Sequence, residues 1–379
     1  MTYSTALFEP ARLPALDLPS RLVMAPLTRN RAEADGTPTA LMATYYAQRA
    51  SAGLIIAEAS TPNAAGQTYP NITAVHSPAH VAGWRRVTDA VREAGGRMFL
   101  QLQHGGRVGH PATSGLTPLA PSPVPLPETI HTPQGRVASV VPREMTDEDI
   151  RTTVADFAKA ARNAIDAGFE GVEVHSANGH LLHQFLARNT NLRTDGYGGP
   201  VTARIRFTAE VTEAVAAEIG AERTGLRVSP GNTVNGIAEG ETEELYPALA
   251  ERLAGLGLAY LHLVHADPDT SVFRNVRAAW PGVLIGNPVL REVSTQEVHR
   301  ASGALLAAGA DLIALGRPFL ANPDLVTRLR TGAPLNAMRE GSFMYVGGAT
   351  GYTDYPALDA QPAGSSSDSI VALDGGRVV

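Results

Sequence analysis

The chain has no cysteine among its 379 residues. This absence excludes disulfide bonds, thiolate metal sites and a cysteine nucleophile. The sequence also lacks an excess of basic residues, because 31 Lys and Arg stand against 37 Asp and Glu, which gives a net charge of −6. A chain without this basic excess is not expected to bind nucleic acid.

Long hydrophobic runs are missing as well. No window approaches ~18 consecutive apolar residues, so we predict no membrane-spanning helix and no membrane partner. The N-terminus has no basic segment followed by an apolar run, so we predict no signal peptide and expect a cytoplasmic location. A hydrophobic content of 44% and a charged content of 18% are typical of a globular protein with a large core.

Short apolar runs recur eight times and alternate with amphipathic stretches. Most runs are continuously apolar, which is typical of parallel strands buried on both faces. The predicted strands span 22–27, 54–60, 97–104, 171–177, 225–230, 259–265, 283–287 and 311–317. The predicted helices span 38–51, 78–94, 146–167, 201–219, 242–255, 294–308 and 323–331, with a short helix within 267–279. This alternation predicts an α/β fold of the (β/α)8 TIM-barrel type.

A doubly wound sheet is the structural alternative, but no glycine fingerprint follows the first strand. The connection after the third strand, 105–143, is rich in Pro and Gly and shows no helical period. Because loops of this length are commonly functional, we expect a lid or small subdomain over the carboxyl-terminal mouth of the barrel, with a short hairpin strand at 137–141. We interpret 1–360 as one barrel domain and 361–379 as a flexible tail.

Polar residues stand at the predicted carboxyl ends of the strands, where barrel enzymes carry their active sites. They include Thr28, Gln101, Gln103, His104, His175, Asn178, Arg227, Asn287 and Arg317. The set is rich in neutral hydrogen-bonding groups and cations and has little inward carboxylate.

His175 and Asn178 are three residues apart, which would place them on one face of a first helical turn. Two neutral donors aimed at one point can hold and polarise a carbonyl or nitro oxygen. The alternative is a capped helix start with a buried, satisfied histidine.

Glycines close the last two predicted strands, at Gly286 and Gly316, and Arg317 follows the second of them. Backbone N–H groups and a cation at this place in a barrel form its usual phosphate site, although tight turns would also explain the glycines. The pattern favours a planar ligand anchored by one phosphate, and FMN fits. Arg227 would stabilise negative charge on the reduced ring, or else form a structural ion pair.

Several separated segments carry a more specific pattern. They are 25–29 (APLTR), 45–50 (YYAQRA), 53–59 (GLIIAEA), 101–104 (QLQH), 175–179 (HSANG), 182–186 (LHQFL), 193–199 (RTDGYGG), 315–317 (LGR), 322–325 (NPDL) and 351–356 (GYTDYP). Together they resemble the Old Yellow Enzyme family over nearly the whole chain, from Leu7 to about Pro356. The resemblance implies a non-covalent FMN, NADPH or NADH as reductant, and ping-pong reduction of activated alkenes such as enones, enals, maleimides and nitroalkenes.

The resemblance also implies roles for residues at matching positions. The residues implied at the flavin ring are Pro26, Leu27, Thr28, Ala59, Gln101, His175 and Arg227. Those implied at the ribityl phosphate are Gly286, Asn287, Gly316 and Arg317. His175 and Asn178 would hold the substrate oxygen, with Thr28 and His180 completing the catalytic set. The residues implied along the substrate pocket are Tyr69, Gln103 and Tyr345.

Two positions depart from the family pattern. Gln103 stands where a tryptophan is common, which makes that wall of the pocket more polar. His180 stands where the family commonly has a tyrosine, its assigned proton donor. We hypothesise that His180 donates the α-proton, since imidazole can hold and release a proton near neutral pH. The alternative is that His180 only lines the pocket and that water supplies the proton.

Two other functions are weighed on the sequence. A metal-dependent barrel hydrolase would use His104, His175, His180 and His183, but the early His-x-His and inward carboxylates of such enzymes are not apparent, so no metal is expected. A non-catalytic flavin-binding protein would not need the pair His175 and Asn178. We expect small-molecule partners, namely the alkene and the nicotinamide, and a monomer or homodimer.

Overall fold

The computed structural model describes residues 5–358, and the predicted flexible tail at 361–379 lies outside them. Eight parallel strands form the barrel: β1 (Leu22–Met24), β2 (Leu54–Thr61), β3 (Met98–Leu102), β4 (Gly171–Ser176), β5 (Thr224–Val228), β6 (Tyr260–Ala266), β7 (Leu284–Pro288) and β8 (Leu312–Leu315). A ninth, two-residue strand, Thr73–Ala74, pairs with the end of β2. Each strand pairs with the next, and β8 pairs with β1, so the sheet closes on itself. The predicted (β/α)8 barrel is therefore confirmed.

A helix follows each strand on the outside of the barrel. These are α1 (Ala40–Ala47), α2 (Pro78–Glu93), α3 (Asp147–Asp166), α4 (Arg206–Ile219), α5 (Thr242–Leu253), α6 (Ser271–Ala279), α7 (Thr295–Ala307) and α8 (Leu325–Thr331). Shorter helices span Pro111–Ser114, Leu181–Leu186, Val201–Arg204, Arg317–Ala321 and Ser342–Tyr345. Among the described helices, none has the length and apolarity that a bilayer crossing requires.

Local chemistry explains where several helices begin and end. Thr146 caps α3 and forms a capping box with Asp149. Gly95, Gly168 and Gly309 follow α2, α3 and α7 with φ of +81°, +93° and +100°. Glycine adopts this left-handed backbone without a Cβ clash, which explains why these three helices stop there.

Other predicted boundaries are wrong. The strand predicted at 311–317 ends at Leu315, because Gly316 turns to φ −92° and ψ −84° and the helix Arg317–Ala321 begins. The helix predicted at 323–331 begins at Leu325, so Pro323 is not its first residue. The helix predicted at 201–219 is two helices that meet at Ile205.

Large side chains close the amino-terminal end of the barrel interior. Phe99 of β3 and Tyr260 of β6 pack with their ring centroids 5.7 Å apart. Gly225 of β5 is required beside them, because a Cβ there would lie 2.3 Å from the Tyr260 ring. This filled layer leaves the polar residues of the same strands at the carboxyl-terminal mouth.

The long connection 105–143 folds against that mouth. Thr129–Thr132 and Gly135–Ala138 pair as an antiparallel hairpin, so the strand predicted at 137–141 begins two residues earlier and ends three earlier. The Arg107 guanidinium donates to the carbonyl oxygens of Pro125, Asn235 and Gly236, at 3.1, 2.8 and 3.0 Å. Arg107 therefore ties the connection to the loop that follows β5.

Candidate active site

A cavity of about 720 Å³ opens at the carboxyl ends of the barrel strands. Eleven of the residues predicted for the site line it: Pro26, Leu27, Thr28, Tyr69, Gln101, Gln103, His175, Asn178, His180, Arg227 and Tyr345. The connection 105–143 supplies further walls through Val108, Leu126, Glu128, Thr129, Ile130, His131 and Arg136. The fold thus gathers residues from distant parts of the sequence around one space.

The other five predicted cofactor residues are not part of this cavity wall. Asn287 lies on β7, and its amide donates at 2.8 Å to the carbonyl of Ala314 on β8, two residues before Gly316. Gly286 pairs within the sheet, and a Cβ there would lie 3.0 Å from Leu305 of α7, so helix packing explains this glycine. Arg317 opens the short helix that follows Gly316.

Ala59 is the fifth of these residues, and it is buried on β2. Its carbonyl accepts a hydrogen bond from the Thr73 hydroxyl at 3.0 Å. This hydrogen bond satisfies the backbone carbonyl of Ala59. Ala59 does not line the cavity.

His175 lies on β4, and Asn178 lies in the turn after it rather than on a helical turn. Asn178 has φ +54°, and the next helix, Leu181–Leu186, begins only after His180. The expected shared helical face is therefore wrong. The turn brings the two side chains to the same cavity instead, and asparagine tolerates its left-handed backbone better than most residues do.

Hydrogen bonds from the loop after β5 fix Asn178. Its backbone N–H donates to Ser229 Oγ at 2.9 Å, and its carbonyl accepts from Asn235 Nδ2 at 2.8 Å. Its side-chain oxygen accepts from Asn232 Nδ2 at 3.4 Å. Because the oxygen is the acceptor in that contact, the amide N–H groups of Asn178 remain as donors.

A buried hydrogen-bond network lies behind the same turn. His183 Nδ1 accepts from the Gly179 N–H at 3.0 Å, so the proton of this imidazole is on Nε2, which donates to Glu239. The Tyr246 hydroxyl and the Gly231 N–H also donate to Glu239. Burial alone would raise the pKa of Glu239, but the hydrogen bond from His183 and these donors hold it below its ordinary value. The buried, satisfied histidine of this region is therefore His183.

His175 and His180 form a pair within the cavity. His175 Nε2 and His180 Nδ1 are 3.1 Å apart, while the other nitrogen of each ring has no hydrogen-bond partner among residues 5–358. Burial lowers the pKa of His180 to about 4, and burial together with His180 holds the pKa of His175 well below its usual range. Both rings are therefore neutral at pH 7, and one nitrogen of the contact donates while the other accepts.

This ionisation state bears on the hypothesis that His180 donates the α-proton. An imidazole that is neutral at pH 7 is a good hydrogen-bond donor but carries no readily transferable second proton. The neutral state of His180 therefore favours the alternative, in which His180 lines the pocket and does not donate the α-proton.

A polar layer lies one step deeper in the barrel than His175. Glu173 Oε1 accepts from Gln101 Nε2 at 2.8 Å, and Glu173 Oε2 accepts from His262 Nδ1 at 2.7 Å. Gln101 is level with Glu173 in the sheet, and Arg227 is level with His262. The expectation of little inward carboxylate is wrong here. The available signal was strand alternation, because Glu173 precedes His175 by two residues and so points to the same face.

Arg227 is a buried cation without a hydrogen-bond partner for its Nε among residues 5–358. The side chain lines the cavity and is only 5% exposed as a residue. Burial lowers the pKa of Arg227, and the charge of Glu173 counteracts this. A buried donor of a charged group without a hydrogen-bond partner is unfavourable, so this side of the cavity suits an electron-rich or anionic ligand group.

These residues fit FMN. Thr28, Gln101 and Arg227 line the cavity and offer hydrogen-bond donors and an acceptor. Arg317 does not line it and begins the short helix that follows β8 and Gly316. The proposed metal ligands His104, His175, His180 and His183 do not form a metal-binding group, since no cluster of three or more potential ligands occurs in the described part of the chain.

Two arginines hold the segment that carries Tyr345. Arg31 donates to the carbonyls of Phe343, Met344 and Val346 at 2.7 to 2.9 Å, and Arg29 donates to those of Met344 and Gly351. Tyr345 faces the cavity together with Tyr69, whose pKa burial raises to about 12. Tyr69 therefore presents a neutral hydroxyl group to the cavity.

Comparison with known proteins gives consistent matches over nearly the full chain. The model of the NADH:flavin oxidoreductase / NADH oxidase family matches residues 6–336. A Leishmania infantum protein named "Probable flavin mononucleotide-dependent alkene reductase" is 40% identical, with 93% of this chain and 97% of that protein covered.

Solved structures agree in fold. The old yellow enzyme homologue from Zymomonas mobilis superposes with a TM-score of 0.89 at 39% identity, covering 93% of this chain and all of that one (100%). Morphinone reductase in complex with tetrahydroNAD superposes with a TM-score of 0.88 at 41% identity, covering 94% of this chain and 98% of that one.

Proposed function

Because the chain belongs to the NADH:flavin oxidoreductase / NADH oxidase family, the Old Yellow Enzyme family, we propose that it is an FMN-dependent ene-reductase. It uses NADPH or NADH to reduce the C=C bond of enones, enals, maleimides or nitroalkenes. The observation that carries this proposal is the meeting in one cavity of His175, Asn178 and Arg227, whose Nε has no hydrogen-bond partner among residues 5–358.

The cofactor would be held by groups at several strand ends. When bound, FMN would supply the hydride chemistry that connects the nicotinamide to the β-carbon of the alkene. Thr28 and Gln101 would hydrogen-bond the polar edge of the ring, and Arg227 would stabilise negative charge on the reduced ring. The residues assigned to the faces of the ring are Pro26, Leu27 and Ala59, of which Pro26 and Leu27 line the cavity. Those assigned to the phosphate are Gly286, Asn287, Gly316 and Arg317.

His175 and Asn178 hold the oxygen of the activating group. Negative charge grows on this oxygen as the alkene is reduced, so two fixed N–H donors stabilise the transition state more than the substrate. Each such donor contributes on the order of 10²- to 10³-fold in rate. The bonds of Asn178 to Ser229 and Asn235 provide the fixed geometry that this stabilisation requires.

We propose that His180 fixes which nitrogen of His175 carries the proton and that His180 does not itself protonate the substrate. If His180 Nδ1 donates to His175 Nε2 in the 3.1 Å contact, the proton of the neutral His175 ring is on Nδ1, which has no partner among residues 5–358 and is available to the substrate oxygen. Water then supplies the α-proton. Tyr69, Gln103 and Tyr345 line the space for the substrate.

The connection 105–143 is proposed as the lid of the site, within one barrel domain spanning 1–360. Its hairpin contributes Thr129, Ile130 and Arg136 to the cavity wall. Arg107 ties it to the loop that also positions Asn178. Lid and oxygen site are thus joined through one loop.

The purified protein tests the proposal. It should show the visible absorption of oxidised flavin, lose it on anaerobic titration with NADPH or NADH, and regain it on addition of 2-cyclohexenone. Flavin that nicotinamide reduces but no enone or nitro compound reoxidises would support a non-catalytic flavin-binding protein. A colourless protein with stoichiometric zinc would support the hydrolase.

A further inference from the structure

We propose that Glu173 is a positioning residue of the flavin site, which holds the Gln101 amide oxygen toward the ligand and offsets the charge of Arg227. Through this hydrogen bond and this electrostatic interaction it sets both the affinity for FMN and the reduction potential of the bound flavin. The inference rests on the proposed function and extends it to a buried residue that no substrate reaches.

The orientation of Gln101 follows from the carboxylate beside it. A carboxylate only accepts hydrogen bonds, so the Gln101 group at 2.8 Å from Glu173 Oε1 is the amide nitrogen. The amide oxygen is then the end left for the cavity that Gln101 lines. An acceptor at this place suits an N–H on the polar edge of the flavin ring. Without the carboxylate, either end of the amide could face the ligand.

The fold keeps Glu173 ionised. The Glu173 side chain is fully buried, which by itself would raise its pKa, but His262, Arg227 and Gln101 together hold the pKa below its ordinary value. His262 donates from Nδ1 at 2.7 Å, and burial lowers its own pKa, so the pair is a carboxylate and a neutral imidazole. A negative charge therefore lies one layer below the cavity floor.

This charge acts on the same region as Arg227. Glu173 precedes His175 by two residues on β4, and His175 is level with Arg227 of β5. A cation beside the ring stabilises the reduced, electron-rich flavin, and an anion beneath it opposes that effect. Removing the charge of Glu173 while keeping Arg227 should make the flavin easier to reduce.

The experiment compares three variants with the wild-type holoenzyme by dye-equilibrated potentiometry and by FMN titration of the apoprotein. For Glu173→Gln we expect a more positive midpoint potential and a Kd for FMN about tenfold weaker, since one oriented hydrogen bond is lost. Glu173→Asp keeps the charge but withdraws it by one methylene, so the potential should stay near wild type while the affinity falls.

Glu170→Gln is the matched control. Glu170 lies directly before β4 at the opposite end of the barrel, where its carboxylate accepts from the Met98 N–H at 2.7 Å. Its neutralisation should leave both the potential and the FMN Kd unchanged.

Folded Glu173→Gln with wild-type potential and wild-type Kd overturns the inference while leaving the proposed function intact. If circular dichroism shows that Glu173→Gln does not fold, Glu173→Asp decides, and a wild-type FMN Kd in that variant overturns the positioning role. A wild-type protein that binds no FMN overturns this inference and the proposed function together.

Discussion

At the scale of single residues, the proposed oxygen site depends on side chains that never touch the substrate. Glu239 accepts from His183, Tyr246 and the Gly231 N–H, and His183 in turn accepts from the Gly179 N–H beside Asn178. These bonds fix the left-handed turn that presents the Asn178 amide. Removing one of these hydrogen bonds should make the turn more mobile and leave the binding of the flavin unchanged.

Glu239→Gln tests this dependence. The variant replaces one acceptor oxygen by an N–H₂ group that faces existing donors, so we expect a loss of about 1–3 kcal/mol in the free energy of unfolding. We also expect roughly tenfold slower flavin reoxidation by 2-cyclohexenone, with an unchanged flavin spectrum. Glu297→Gln, which breaks an ion pair with Arg300 on α7, is the control. A lower unfolding free energy with a wild-type reoxidation rate would restrict Glu239 to a structural role.

His180→Phe and His180→Asn separate the two roles considered for His180. If His180 serves only as a donor to His175, the Phe variant should reoxidise about tenfold more slowly, and the Asn variant, whose amide N–H₂ can replace the Nδ1–H, should recover most of the rate. Stopped-flow reoxidation between pH 6 and 9 measures both. A fall of 10²-fold or more in both variants, with a changed pH profile, would show that His180 is the proton donor.

The sequence predicted His175 and Asn178 because both residue types and their spacing are visible in it. Their geometry was not predictable, since it depends on a left-handed turn fixed by Ser229 and Asn235 from another strand end. Glu173 was not predicted as a site residue, because a single carboxylate inside an apolar strand does not show which residues it will contact. Its partners Gln101 and His262 become neighbours only when the barrel closes.

At the scale of elements, the C-terminal segment is attached to the barrel mainly through arginine. The Arg31 guanidinium reaches three carbonyl oxygens of the segment 343–346, and the Arg29 guanidinium reaches two carbonyls between 344 and 351. Arg29 also lies 4.9 Å from the centroid of the Tyr352 ring. This attachment places Tyr345 at the cavity.

Arg31→Lys should loosen that segment while keeping the positive charge. A lysine ammonium is a single point of donation and cannot span three carbonyls as a planar guanidinium does. We expect faster limited proteolysis within 338–352 and a several-fold higher KM for the alkene, with an unchanged FMN spectrum. Arg92→Lys, on the exposed face of α2, should behave as wild type. Equal proteolysis rates for both variants would contradict the attachment.

Element positions were predicted better than element ends. All eight strands occur where the apolar runs place them, because burial on both faces leaves a clear signal. The ends of β1 and β8 were placed too late. Pro26 lacks the N–H that continues a ladder, and Gly316 leaves the strand conformation, yet both belong to otherwise apolar runs.

At the scale of the whole molecule, the site concentrates buried histidines that are neutral when folded. Burial lowers the pKa of His104 to about 3 and that of His180 to about 4, and it holds the pKa of His175 well below its usual range. Each of these groups takes up a proton on unfolding once the pH falls below its unfolded pKa of about 6.5. The free energy of unfolding should therefore fall as the pH is lowered from about 6.5 toward 4.

His104→Asn measures one share of this effect. The Asn side chain can still accept from the Gly106 N–H, as His104 Nδ1 does at 3.1 Å, but it does not titrate. Urea unfolding at pH 6, 5 and 4 should show a dependence on pH that is shallower by about 1.4 kcal/mol per pH unit than in wild type. His131→Asn, on the exposed hairpin, is the control. Parallel pH curves for His104→Asn and wild type would contradict the neutral, buried state of His104.

The closed barrel itself was predictable from eight repeated units, whereas the roof of the cavity was not. Residues such as Glu128, His131 and Arg136 join the cavity wall through the hairpin of 129–138. Their sequence is rich in Pro, Gly and polar residues and carries no periodic signal. The hydrogen bonds of Arg107, which are visible in the structure alone, fix the connection over the barrel and so determine which of its side chains face the cavity.

The central claim is that His175 and Asn178 hold the oxygen of an alkene being reduced at a bound flavin. Stopped-flow reoxidation of the prereduced protein by 2-cyclohexenone, in wild type and in the double variant His175→Ala/Asn178→Ala, tests it most directly. We expect wild type to recover its flavin absorbance rapidly and the double variant to do so at least 10²-fold more slowly, since two donors are lost. Equal rates in the two proteins, or a wild type that carries no flavin, would contradict the account.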